Sequence, residues 1–334
     1  MIRNRSRVGR SRMSGLTLIE MMIAMVLGLM VLGAAIAIFA SNRQAYRTAE
    51  NVGRLQENVR TAFELMALDI REAGGNACSR GLPTANVLNS ATANWYSDWS
   101  SPIQGFDNTA AFSGVAFGTA AARRVNNTDA IEIKSTGSEG VTVASANPSS
   151  ARIELNTANH GLSSGDLAII CDNRQAAVFQ VTNASPGTNT NLIHNAGGGV
   201  TPGNCTKSLG LPVNCASGVD YAFGANSTIA KLHATAWFIG FNGRGGRSLY
   251  QLAPPSGSAV PVANEVAEGV NDMQITYLAT GNPLYRNASA ITDWNAVTAV
   301  RVRLVVATPD AIGTDGQPVT REVSHVVMLR NRNE

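Results

Sequence analysis

Residues 14–40 read SGLTLIEMMIAMVLGLMVLGAAIAIFA. From Met21 to Ala40 there are twenty residues without a charge, about the length a helix needs to cross the hydrocarbon core of a bilayer. Upstream stand Arg3, Arg5, Arg7, Arg10 and Arg12, with no acid before Glu20. A basic flank, one apolar span and the bulk of the chain beyond it place the N-terminus in the cytoplasm and the remainder outside, by the positive-inside rule.

The same arginines explain the net charge. The chain of 334 residues has 26 basic and 23 acidic side chains; the 26 less the five leader arginines leave 21, a slight acidic excess. The apparent basicity therefore belongs to a topogenic segment, and no nucleic-acid partner is expected from it. Arg123-Arg124 and Arg244/Arg247 read as solvated turns. A composition 44% hydrophobic and 15% charged is that of a folded chain, and the Gly, Asn, Ser, Thr and Ala abundance after residue 75 suits a turn-rich β protein outside the cytoplasm.

An ordinary signal peptide, with Ala35-Ile36-Ala37 as its cleavage site, and a plain anchor both compete for the apolar run. Neither accommodates Glu20, because a carboxylate at the edge of a membrane span costs on the order of 2 to 3 kcal/mol and usually marks a function. The run Ser14-Gly15-Leu16-Thr17-Leu18-Ile19-Glu20-Met21-Met22-Ile23 resembles the prepilin processing site of type IV pilins and type II secretion pseudopilins. The resemblance implies cleavage by a prepilin peptidase between Gly15 and Leu16, N-methylation of Leu16, and an assembly role for Glu20, with Thr17 beside it. Leu16 stands where Phe is commoner. A charged amine at Leu16 and the carboxylate of Glu20 are both poorly solvated in lipid, so the Glu20 of one subunit can neutralise the amine of its neighbour and set axial register.

Val52, Leu55, Val59, Ala62, Phe63, Met66 and Ile70 recur at spacings of three and four, which continues the helix to a stop at Gly74-Gly75. A single helix from Leu16 to Ala73 would be roughly 85 Å long. Arg54, Glu57, Arg60, Glu64, Asp69 and Arg71 fall on its solvated or subunit-facing side. Beyond Gly75 short β-rich runs take over: Ile131 to Lys134, Arg152 to Leu155, Leu167 to Ile170, Val178 to Thr182, Thr235 to Phe241, Ser248 to Leu252, Met273 to Leu278, Val300 to Ala307 and Val323 to Leu329. Asn242-Gly243-Arg244-Gly245-Gly246 reads as a hairpin turn. Ser185 to Asn204 reads as a long surface loop. The fold class expected is α+β, type IV pilin-like: a long N-terminal helix with a transmembrane first half, packed on a mainly antiparallel C-terminal domain. Its divisions are a leader (1–15), a membrane and assembly half of the helix (16–40), an amphipathic half (41–75) and a periplasmic β-rich domain (76–334).

Cys78, Cys171, Cys205 and Cys215 all follow the apolar run, and an even count there fits disulfides in an oxidising compartment. Three pairings are open; a local Cys205–Cys215 bridge is the first choice, which leaves Cys78 for Cys171, with buried free thiols as the alternative. The four histidines are dispersed, there is no C-x-x-C, and neither metal nor cofactor is expected. No H-E-x-x-H or phosphate loop occurs, and the chain is not read as an enzyme. Trp95, Tyr96 and Trp99 form either an exposed aromatic patch or part of the packing over the sheet.

A second resemblance lies in the C-terminal third: Glu268-Gly269-Val270-Asn271-Asp272-Met273-Gln274-Ile275-Thr276-Tyr277, then Trp294, Val297 and Ala299-Val300-Arg301-Val302-Arg303-Leu304, and the closing Leu329-Arg330-Asn331-Arg332. It is similar to the PilW type of minor pilin, with related patterns in J-type pseudopilins. That resemblance implies a subunit of a minor-pilin complex that primes pilus assembly and caps the tip, with other minor pilins, the major pilin and a tip adhesin as partners. It implies passage from the inner membrane to a surface pilus that serves twitching motility and attachment. The alternatives are a J-like pseudopilin of type II secretion and an adhesive tip module.

Overall fold

The computed structural model describes residues 15, 17–75, 77–78, 81–137, 140–197, 199–308, 310–313 and 316–330. One helix, α1 (Leu18–Glu72), fills 55 residues. From Leu18 to Arg47 it is exposed throughout. Its second half buries Leu55, Val59, Ala62, Met66, Ala67 and Ile70, the stripe that the spacing predicts. These side chains share a core with Met273, Ile275, Val300, Val302 and Leu304, and burying each large one contributes about 1.5–3 kcal/mol. The helix stops where Gly74, at φ +70°, turns the chain and donates its N–H to the Lys134 carbonyl at 2.9 Å; a left-handed residue just past a helix end favours glycine.

Among the described residues fifteen strands follow: β1 (Thr84–Asn86), β2 (Ile103–Phe106), β3 (Ala130–Thr136), β4 (Val141–Asn147), β5 (Arg152–Leu155), β6 (Leu167–Cys171), β7 (Ala176–Gln180), β8 (Asn183–Ala184), β9 (Asn191–Ile193), β10 (Thr228–Phe241), β11 (Arg247–Ala253), β12 (Val262–Glu268), β13 (Val270–Ala279), β14 (Val297–Ala307) and β15 (Thr320–Met328). The order β13-β14-β15 forms a separate antiparallel sheet. Along β14 Val300, Val302, Leu304 and Val306 are buried and Arg301 and Arg303 exposed, the alternation of a sheet with one face on a core. β10 is the longest strand, and it changes partners along its length. Leu232 to Phe238 pair with β3 and Ala236 to Phe241 with β11, whereas Thr228 to Lys231 pair with β6 and Thr228 and Ile229 also with β4.

That N-terminal end of β10 belongs to a small barrel. The pairing runs β7-β6-β10-β4-β5-β9-β8, and β7 and β8 are nearly one strand. Between them Val181 donates to the Asp166 carbonyl at 2.9 Å and Thr182 to that of Ile193 at 2.8 Å, so the hydrogen bonds pass from one neighbour to the other and the sheet closes. Closure removes sheet edges. Val143, Ile153, Ile170, Phe179, Leu192 and Ile229 fill the inside. The barrel lies past the end of α1: Asp69 is level with Trp237, Gly75 accepts from the N–H of Thr136, Thr136 pairs with Leu232, and residues 228–231 continue onward from there.

Three readings of the sequence are corrected. The stretch from Ser185 to Asn204 is not a free surface loop, since β9 lies within it and Leu192, His194 and Asn204 are buried. Asn204 holds the stretch in place by accepting from the Gln180 N–H at 2.7 Å and donating to the Gln180 carbonyl at 2.7 Å. Arg124 is not a solvated turn residue but fully buried. Its guanidinium donates to the carbonyls of Ala110 (2.8 Å), Phe106 (2.9 Å) and Thr128 (2.6 Å), and burial brings its pKa down to about 10 against the opposing pull of Asp129, Tyr277 and Asp107. Asp69, placed on the solvated side, instead faces the sheet. It accepts from Trp237 Nε1 at 2.8 Å and Gln251 Nε2 at 3.0 Å, and burial raises its pKa in spite of those bonds.

Candidate functional site

The leader to residue 14, and Leu16 itself, lie outside the described residues; Gly15, Thr17 and Glu20 are described. Thr17 is the N-cap of α1 and Glu20 its third residue, and the two form a capping box. The Glu20 N–H donates to Thr17 Oγ1 at 3.3 Å, while the Thr17 N–H and hydroxyl donate to Glu20 Oε2 at 3.0 and 2.9 Å. Two otherwise unpaired donors at the start of the helix are satisfied in this way, and a carboxylate there complements the helix dipole. The Thr-x-x-Glu spacing that produces this cap is written in the sequence.

Both bonds to the carboxylate fall on one oxygen, Oε2. Among the described residues Glu20 Oε1 has no partner, so the carboxylate is fixed in orientation by its own chain and keeps one oxygen open to another molecule. Leu18, Ile19, Met21, Met22 and Ile23 around it are more than half exposed, and the helix has a stretch long and apolar enough to cross a membrane, none of it buried in the protein. An exposed apolar surface of this size marks contact with lipid or with other chains.

Two disulfides stand at the other end of the molecule. Cys78 joins Cys171, tying the segment after α1 to β6 across 93 residues, and Cys205 joins Cys215 across 10. Trp95 is buried against Phe112, with ring centroids 5.5 Å apart, and Tyr96 and Trp99 are half-buried in the same cluster. The aromatics pack over the sheet and do not stand out as a patch. The hairpin Asn242–Gly246 joins β10 to β11, with Asn242 Oδ1 accepting from the N–H groups of Arg244 and Gly246. Arg244 on this turn is exposed yet paired, with Glu265 and with Glu268.

A cleft of about 450 Å³ opens between the helix end and the barrel. Its lining includes Leu82, Trp99, Ile169, Val178 and Leu232, together with Lys134, whose Nζ lies 2.9 Å from Glu132 Oε1 with both side chains buried. Among the described residues no group of three His, Cys, Asp or Glu side chains is placed to hold a metal ion.

An N-terminal helix with a bare apolar half, capped by a threonine and a glutamate and packed by its other half on an antiparallel sheet, is the α+β arrangement that the prepilin resemblance implies. The model of the prokaryotic N-terminal methylation motif matches residues 10–36. A second match, to the type IV pilus-assembly protein W family, covers residues 236–331, which begin inside β10 and take in β11 to β15. Together the two support a PilW-type type IV pilin. Between the matched stretches lie α1 beyond residue 36, β1 to β3 and the barrel, including the Thr228–Lys231 end of β10. No curated protein and no solved structure matches the chain.

Proposed function

We propose that this chain is a minor pilin that helps prime type IV pilus assembly and is incorporated at or near the filament tip, in support of twitching motility and adhesion. The observation that carries the reading is the pairing of a methylation motif at one end with a PilW-type region at the other. The leader (1–15) is removed between Gly15 and Leu16 by the prepilin peptidase, which also methylates Leu16. Residues 16–40 hold the subunit in the inner membrane and then join the filament core, and the β-rich domain (76–334) folds in the periplasm. In the core Glu20 Oε1 receives the amine of a neighbouring subunit, a pairing that offsets a cost of several kcal/mol for burying either charge alone. The role is structural.

The tip assignment draws support from the barrel. It occupies the space past the end of α1, where the β domain of a subunit stacked directly above would have to fit. The other minor pilins and the major pilin are then partners below, and a tip adhesin is the partner above. A deletion strain, complemented with the wild-type chain and scored for surface pili, twitching and type II secretion, tests the proposal. Loss of pili and twitching with normal secretion is the expected result; loss of secretion with normal pili would reassign the chain to a J-like pseudopilin.

A further inference from the structure

From Met21 to Asn42 the chain carries no charge, and the first cation beyond is Arg43. At 1.5 Å per residue Arg43 lies roughly 35 Å along α1 from Glu20, a little more than the hydrocarbon thickness of about 30 Å. Arg47 follows one turn later, on the same face. Tyr46 stands between them, 79% exposed. Glu50, the next acid, is taken by Arg54 at 2.6 Å, and among the described residues neither Arg43 nor Arg47 has a carboxylate within ion-pair distance. The β domain reaches the helix farther on, with Asn51 donating to Asp310 Oδ2 at 3.1 Å. Residues 43–47 are therefore a collar of two guanidinium groups and a phenol, open to solvent, at the depth where the far leaflet ends.

We infer that Arg43, Tyr46 and Arg47 form a binding site for the phosphates of anionic phospholipid headgroups in the leaflet that faces the β domain. The planar guanidinium fork matches phosphate oxygens two at a time, and a tyrosine places its ring in the interface with its hydroxyl in water. The positive-inside rule puts basic residues on the other side of a span, so two of them here call for a local partner. Bound phosphates fix how deep the helix sits, and withdrawing the subunit from the membrane requires their release. The inference rests on the membrane reading given above.

The test uses the full chain with Tyr46→Trp in vesicles of phosphatidylglycerol and phosphatidylcholine in equal amounts, with only one of the two brominated near the top of its acyl chains. The new indole reports the lipid around the collar, out of reach of the leader arginines at the opposite face. Bromine on phosphatidylglycerol should quench it more strongly, corresponding to a local enrichment of about fivefold for each arginine engaged. The preference should fall to the bulk ratio in Arg43→Gln/Arg47→Gln and weaken in 1 M salt. Equal quenching by the two lipids with both arginines present would overturn the headgroup site while leaving the membrane span intact, and would assign the arginines to carboxylates of another subunit. No quenching by either lipid would overturn the site together with the span.

Discussion

His194 sits at the seam of the barrel, beside Phe179 with ring centroids 5.1 Å apart, its Nδ1 buried without a hydrogen-bond partner. Burial, reinforced by the positive charge of Lys207, lowers its pKa from 6.5 to about 4. The folded state thus resists a proton that the unfolded state accepts. A depressed folded pKa contributes stability that is whole above pH 6.5 and is lost as the pH falls through 4; at pH 4.5 the loss amounts to roughly 2–3 kcal/mol, several tenths to half of what a marginal domain has in reserve. His194→Phe keeps a ring against Phe179 and cannot titrate. Urea unfolding of both proteins at pH 7.5 and 4.5, followed in parallel by circular dichroism and tryptophan fluorescence, should show the wild type losing roughly 2–3 kcal/mol more than the variant. The difference between proteins is the proper quantity, because Asp69, Asp129 and Glu132 have pKa values raised by burial and gain stability as the pH falls, in both proteins alike. Equal losses for the two would refute the reasoning and mean that His194 finds solvent or an acceptor in solution.

Arg124→Met should destabilise by about 3–5 kcal/mol in the same unfolding assay, since three carbonyls lose their donor and Asp129 loses its compensating cation; Arg124→Lys should recover less than half, because one ammonium cannot span three acceptors. Glu20→Gln should leave processing at Gly15 unchanged while reducing co-purification with other pilins at least tenfold, as the amide keeps a capping oxygen for Thr17 and loses the charge; wild-type recovery would show the charge to be dispensable. Mass spectrometry of the protein from membranes or sheared filaments should find an N-methylated Leu16 at its start, and an N-terminus near Ser41 would refute that. Peptide mapping without reductant should recover Cys78 with Cys171 and Cys205 with Cys215, where four alkylated thiols would exclude both.

The helix was legible because an uncharged apolar run from Met21 to Ala40 is followed by apolar residues at spacings of three and four from Val52 to Ile70, and no proline interrupts it. Strands such as Arg152–Leu155 and Val300–Ala307 were legible for the related reason that β-branched residues alternate between breakers. β12 escaped because its sequence, VANEVAE, exposes Val262, Asn264 and Glu265 at the sheet border, where little is buried to impose a pattern. β9 escaped because three residues inside an Asn- and Gly-rich stretch give no period at all; its place comes from the long-range bonds of Asn204 to Gln180. The misplacement of Arg124 and Asp69 has a common physical cause. A charge is read as solvated unless its partners are visible, and the partners of Arg124 are main-chain carbonyls while those of Asp69 are side chains 168 and 182 residues away. At the candidate site Gly15, Leu16 and Glu20 stand in a local motif, whereas the open Glu20 oxygen required the cap geometry.

β10 also has a mechanical meaning. It lies along α1, beginning beyond the helix end and finishing near the level of Leu55, whose Cδ1 approaches Gly269 beside the Arg247 partner of Phe241. A pull on the barrel, directed away from the N-terminal end of α1, therefore loads the ladders from β10 to β3 and β11 lengthwise, so that many hydrogen bonds share the force at once and none can be peeled singly. The Cys78–Cys171 bridge adds a covalent strap from the segment just past the helix to β6, and carries tension from the barrel to α1 without passing through β10 at all. A chain built this way can be hauled by its outermost part and hand the strain straight to the rod that anchors it.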